Sequence, residues 1–145
     1  MRMIVVPRLG GPDVLTLIDA PMPVAAADQV VVKLQYALVS FADVYQREGV
    51  YRANKALSES EAPLKIGDGG AGTVISVGSD VTHLRPGDRV VYGEQLGSYA
   101  EYIALPAWRA TNVPRNRDLR DVAGLPSQGA TAQIWPMTPA SWHPA

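Results

Sequence analysis

The sequence has no cysteine. That excludes disulfides, thiolate zinc sites and a thiol nucleophile in one step. Histidine is nearly absent as well: His83 and His143 are the only two, and neither belongs to a ligand cluster. A catalytic zinc site needs three good ligands, so no metal is expected. Charge of either sign lacks an excess, with 13 basic against 14 acidic residues. Without a basic stripe, nucleic acid has no electrostatic handle. Long apolar runs are missing too. The longest, from Val30 to Val44, is broken by Lys33, Gln35 and Asp43, and is too short and too polar to span a bilayer. The opening run up to Pro7 is too short for a secretory signal. No membrane association is expected, and a cytoplasmic location is the default.

What is present suits one domain. The chain has 145 residues, a single-domain length. Its hydrophobic fraction of 47% allows a sizeable core. Met3–Pro7 and Leu15–Ala20 read as short strands, separated by the turn chemistry of Gly10-Gly11-Pro12-Asp13. Gln29–Tyr36 alternates: Val30, Val32, Leu34 and Tyr36 fall on one face, with Val31, Lys33 and Gln35 on the other. That period of two predicts a half-buried strand.

Ser40 precedes the segment Phe41–Glu48, which Gly49 closes. A capping serine, an aspartate three residues later and a terminal glycine predict a short helix. Val50 to Lys65 reads as a long polar loop. Thr73–Val77, Arg89–Tyr92 and Ser98–Leu105 read as strands, and Arg85-Pro86-Gly87-Asp88 as a type II turn. Asp118 caps a helix running towards Gly124, and a second helix is predicted over Ser127–Trp135. The last residues carry three prolines and no periodicity, so 134–145 is predicted to be an irregular tail behind a domain of residues 1–133. The expected fold is mainly β with short helices, built as a partly open β-barrel.

Gly67-Asp68-Gly69-Gly70-Ala71-Gly72 fits the pattern G-x-G-x-x-G. In a dinucleotide-binding unit that pattern follows a strand and opens a helix, whose N-terminus holds the pyrophosphate. Here it follows a polar loop and precedes the strand-like Thr73–Val77. A strand offers neither converging amides nor a helix dipole, so the fingerprint reading is rejected. The glycines are expected instead to let the backbone bend and approach a neighbour closely.

Several segments, taken in order, resemble the quinone oxidoreductases of the medium-chain dehydrogenase/reductase superfamily. Gly10-Gly11-Pro12-Asp13-Val14-Leu15 looks like that family's first hairpin. Val39 to Tyr51 is similar to its Gly-(Val/Ile)-Asn-x-x-Asp-x-Tyr-x-Arg-x-Gly-x-Tyr segment. Gly67 to Gly78 resembles Gly-x-Glu-x-x-Gly-x-Val-x-x-Val-Gly, and Gly87–Val90 resembles the turn Gly-Asp-Arg-Val. Gly97–Tyr102 and Leu125–Ala132 resemble Gly-x-Tyr-Ala-Glu-Tyr and Leu-Pro-x-Gln-Gly-x-Thr-Ala. The ordered set covers residues 1 to 133 and implies a GroES-like fold.

In that family this region forms one wall of the active-site cleft, and a Rossmann domain forms the other. Members reduce quinones or enones with NADPH, commonly without metal. Zinc-dependent relatives carry histidine where this chain has Asp68, so zinc is not expected. The family asparagine is replaced by Ser40, and the family glutamate by Gly69.

By resemblance, Tyr45 lies near cofactor and substrate. A phenol there can donate a hydrogen bond to a carbonyl oxygen that gains charge, so Tyr45 is the candidate catalytic residue; the alternative is a packing tyrosine. Ser40 is a nicotinamide contact or a plain helix cap. Thr131 and Gln128 are the further cofactor candidates, against ordinary helix positions. Tyr51 is the substrate candidate, by stacking, against a loop anchor. For Trp108, packing is expected.

The family continues with a strand, a glycine loop and a helix, whereas this sequence ends in Pro136-Met137-Thr138-Pro139 and a few more residues. No Rossmann domain is therefore expected within it. The chain reads as a truncated oxidoreductase-like protein that supplies the substrate side, with negligible turnover alone and NADPH binding weak or absent. The alternative is a non-enzymatic binding module, whose uncovered apolar face is closed by a homodimer or another partner.

Overall fold

The computed structural model describes residues 1–50 and 63–134. Tyr51, most of the long loop and the tail from residue 135 onward lie outside the described residues. Among the described residues, eight strands form two antiparallel sheets. The smaller has the order β2-β1-β4, from β1 (Arg2–Val6), β2 (Thr16–Asp19) and β4 (Leu64–Lys65). The larger has the order β7-β3-β5-β6-β8. Its members are β3 (Gln29–Ala37), β5 (Gly69–Val77), β6 (Arg89–Gly93), β7 (Tyr102–Pro106) and β8 (Thr111–Asn112). The sheets do not close into a barrel. A bridge between Met3 and Ala100 and the amide of Ile4, which donates to the Tyr99 carbonyl at 2.8 Å, join them.

The mainly β, partly open architecture expected from the sequence is present, and the described residues contain no Rossmann unit. The helices are α1 (Phe41–Glu48), α2 (Leu119–Val122) and α3 (Leu125–Ile134). Asp118 caps α2 by accepting the Arg120 amide at 2.9 Å. The Arg85–Asp88 turn closes with the Asp88 amide on the Arg85 carbonyl at 3.1 Å.

Three expectations need correction. First, Val30, Val31 and Val32 are all fully buried, so the first half of β3 is covered on both faces, while Tyr36 is exposed. The strand is central, paired with β5 and β7, and bulges at Val31/Val32 and Leu34/Tyr36 shift its register. One face joins a core of Val30, Val32, Val74, Val90, Tyr92 and Leu105. The other face of the sheet carries Ala71 and Val91, covered by Leu119 and Ala123 around α2.

Second, Gly69–Gly72 of the glycine run already lie within strand β5, and only Gly67 and Asp68 precede it. A Cβ on Gly72 would sit 2.1 Å from the Lys33 carbonyl oxygen on β3. Only a residue without a side chain allows that approach, so the expected close contact is real, but it is made inside a sheet. Third, strands and loops shift at their ends. Leu64 and Lys65, read as loop, pair with Val6 and Val5. Ser98–Glu101, read as strand, lies outside β7. Trp108 does not pack inside: it is 70% exposed, with the Arg109 guanidinium 4.4 Å above its ring.

Candidate active site

The residues that matter gather where β3 leaves the sheet, β5 enters it and β6 leaves it. The short segment Ile66–Gly69 is the hub. Its carbonyls accept amides from Leu38 (on Gly69, 2.9 Å), Gln95 (on Asp68, 3.2 Å), Gly97 and Ser98 (on Gly67, 2.8 and 3.2 Å) and Tyr99 (on Ile66, 3.3 Å). Gly67 makes this possible. It sits at φ +83, and a Cβ there would lie 2.2 Å from Ser98 Oγ, a conformation and a crowding that only glycine tolerates.

Helix α1 starts beside the hub. The Ser40 amide donates to Asp43 Oδ2 at 2.8 Å, and the Ser40 hydroxyl lies 3.5 Å from the same oxygen. Ser40 thus stands at the N-cap of α1 in a capping box with Asp43. The Tyr99 hydroxyl donates to Asp43 Oδ2 at 3.1 Å, which ties the helix to the loop before β7. Asp43 and Arg47 are buried, and Arg47 pairs with Glu48 at 3.0 Å. Tyr45 is partly exposed, its ring 6.2 Å from that of Phe41 and tilted by 47°.

Around Asp43 lies a polar cluster that sequence reasoning missed. Asp43 Oδ1, Asp68 Oδ1, the Tyr92 hydroxyl and Ser98 Oγ are all buried, and none has a hydrogen-bond partner among the described residues. Burial raises the Asp68 carboxyl above its ordinary 3.8, and the charges of Asp43 and then Glu94 push the same way. Burial is also the first cause that raises the Tyr92 and Tyr99 phenols, followed by the Asp68 charge on Tyr92 and the Asp43 charge on Tyr99. Both stay protonated donors at neutral pH. The cluster therefore sets two carboxylates beside the hydroxyls of Tyr92, Tyr99 and Ser98, and the buried Arg47, whose Nη1 also lacks a partner among the described residues, lies one helical turn from Asp43. Asp43 had looked like a capping residue, and the Gly97–Tyr102 motif contained Ser98 and Tyr99, but nothing in their spacing joined them across the fold.

The other sequence candidates lie on α3. It meets the end of β6, where a Cβ on Gly93 would be 3.1 Å from Pro126 Cβ. Gln128 is exposed, near the site through Gly124: a Cβ there would lie 3.4 Å from Gln128 Oε1 and 3.5 Å from Leu38 Cδ1. Thr131 is exposed and its hydroxyl turns back onto the Ser127 carbonyl at 3.0 Å. Ser40 and Tyr45 thus share α1, and Gln128 and Thr131 share α3. Tyr51 lies outside the described residues.

The pyrophosphate of NADPH, the cofactor that the fold family implies, fits this surface poorly. The glycine run commits its backbone to sheet pairing with β3 and β6, and no amide cradle for a pyrophosphate exists among the described residues. Among the same residues, no group of three or more His, Cys, Asp or Glu could hold a metal ion, and no helix is long and apolar enough to cross a membrane.

The two open sheets, the glycine-rich central strand and the hub beside a short capped helix define a domain type, and the sequence agrees. Residues 26–115 match the alcohol dehydrogenase GroES-like domain, and the chain belongs to that family. It is 34% identical over 125 residues to the quinone oxidoreductase of Pseudomonas aeruginosa, covering 86% of this chain and 37% of that protein. It is 35% identical over 127 residues to the mouse quinone oxidoreductase, with the same two coverages, 86% and 37%. The crystal structure of Escherichia coli quinone oxidoreductase complexed with NADPH superposes with a TM-score of 0.85 at 28% identity, covering 99% of this chain and 43% of that one. The chain thus spans about two fifths of the length of these relatives, and the resemblance to the front domain of quinone oxidoreductases holds.

Proposed function

We propose that these 145 residues form the substrate-side domain of an NADPH-dependent quinone or enone reductase. One observation carries this reading: α1, with Ser40 and Tyr45, stands beside a hub where Asp43 Oδ1, Asp68 Oδ1, the Tyr92 hydroxyl and Ser98 Oγ are buried without a hydrogen-bond partner among the described residues. A flat conjugated carbonyl compound matches such a surface, with aromatic rings for its face and polar groups for its oxygens. NADPH would supply hydride to the electron-poor carbon when held by a nucleotide-binding domain, which the described residues do not include. The protein's own residues bind and orient. Tyr45 donates to the substrate oxygen, and Ser40, Gln128 and Thr131 border the nicotinamide end. The site works without zinc.

Titration of the isotope-labelled chain with tetramethyl-benzoquinone tests this. Amide shifts are expected to concentrate at Ser40, Tyr45, Asp68 and Gly93–Gln95. Tyr45→Phe should weaken binding about fivefold, the worth of one hydrogen bond of about 1 kcal/mol. Shifts confined to another surface, or none at all, would refute the reading.

A second reading has its own observation. Phe41 is 76% exposed and Leu125 58% exposed, and such apolar surface tends to find partners. Self-association through this face would appear as a dimer mass in sedimentation, broken by Phe41→Ser.

A further inference from the structure

We propose that a cavity at the start of β6 binds a small phosphate-bearing anion. The site lies away from the hub and does not rest on the substrate-side reading.

The cavity measures about 820 Å³, the size of a small-molecule site. Two segments wall it. One lies within residues 82–89, where the chain turns from β5 into β6, and the other is residues 112–115 at the end of β8. Strand β6 carries Arg89 at this end and Gly93 at the hub. An extended strand of that length separates the two by roughly 13 Å. The length of β6 thus stands between a ligand here and the groups around Asp68.

Charge sets the class of ligand. The chain as a whole has a net charge of −1, yet this wall carries Arg85, Arg89 and Arg115 against a single carboxylate, Asp88. Asp88 is already committed. Its Oδ2 accepts the Arg85 amide at 3.0 Å, and its Oδ1 lies 3.8 Å from Arg85 Nε. Neither Arg89 nor Arg115 has a carboxylate partner among the described residues.

Arg89 is the fixed cation of the three. It is half-buried. Its Nη1 donates to the carbonyls of Pro114 and Arg115 at 3.4 and 3.2 Å, and its Nη2 to that of Arg117 at 2.7 Å. The Arg117 amide closes the same turn on the Pro114 carbonyl at 3.0 Å. These bonds hold the guanidinium in place, but carbonyl dipoles do not neutralise a full charge. With three bonds made, two of its five N–H groups remain for another acceptor. Guanidinium forks match the oxygens of phosphate and carboxylate. Cations from the loop, from β6 and from the segment after β8 favour a dianion with oxygens in several directions. Phosphate is such an ion and a single carboxylate is not. The charge is gathered at one cavity and not along a stripe, so a small molecule suits it better than a nucleic acid.

Titration of the isotope-labelled chain with inorganic phosphate, at constant ionic strength set by sodium chloride, tests the proposal. Amide shifts should concentrate in residues 82–89 and 112–115 and should saturate, and acetate should bind at least about tenfold more weakly. Arg115→Gln should weaken phosphate binding about tenfold, the worth of one charge-assisted hydrogen bond. Arg85→Gln should weaken it severalfold. Both substitutions spare Arg89, which braces the turn of residues 114–117. Arg8→Gln, at an arginine that pairs with Asp13 in another loop, should change nothing. Shifts without saturation, or an equal loss in Arg8→Gln, would overturn the proposal, because each marks general charge screening. Binding to phosphatidylglycerol vesicles without binding of free phosphate would overturn it as well, and would assign these arginines to a membrane surface.

Discussion

At the scale of single residues, Asp68 makes the clearest claim on stability. Its carboxyl is raised in the folded chain by burial first and by Asp43 and Glu94 after it. A group whose folded form holds its proton more tightly than the unfolded form stabilises the fold at low pH and loses that benefit as pH rises. The loss begins near the ordinary value of 3.8 and is complete above the raised one. Asp68→Asn removes the ionisation. The variant should therefore unfold at a higher denaturant concentration than the wild type at neutral pH, and the gap should close as pH falls towards 3.8. Urea melts at a series of pH values check this; a variant weaker at neutral pH and level with wild type only in acid would have the wrong sign.

At the scale of elements, α2 and α3 each open on a leucine, and the two leucines differ in what they do. Leu119 of α2 is 4% exposed and closes the outer face of the larger sheet over Ala71 and Val91. Leu119→Ala should cost about 2–4 kcal/mol, through lost burial and the cavity left behind. Leu125 of α3 stands largely in solvent, and Leu125→Ala should change stability by less than about 0.5 kcal/mol. Thermal melts of the two variants separate these outcomes.

Much of this level was legible in the sequence. The strands around Val5, Val32, Val91 and Leu105 announced themselves by β-branched and alternating residues. Ser40, Asp43 and Gly49 marked α1, because caps are local chemistry. The glycine stretch was read as a close backbone approach, but its place in β5 depends on the Lys33 carbonyl of another strand. The polar cluster was hidden for the same reason. Asp43, Asp68, Tyr92 and Ser98 come from four separate segments, and burial, which sets their properties, is a tertiary fact. Tyr45 and Ser40 became candidates through a family pattern, and that pattern has no aspartate at position 68 to point to.

At the scale of the molecule, the proposed function makes these 145 residues one wall of a cleft. The features proposed to meet substrate lie on α1, the hub and the turn after β6, while the described residues lack the glycine loop and helix of a dinucleotide-binding unit. Calorimetric titration of the purified chain with NADPH, at protein concentrations that reveal millimolar binding, tests this division most directly. Affinity weaker than about 1 mM, worth no more than about 4 kcal/mol, is the expected result. Micromolar binding by these residues alone would contradict it, because it would require a phosphate cradle that the strand pairing of Gly69–Gly72 has already used.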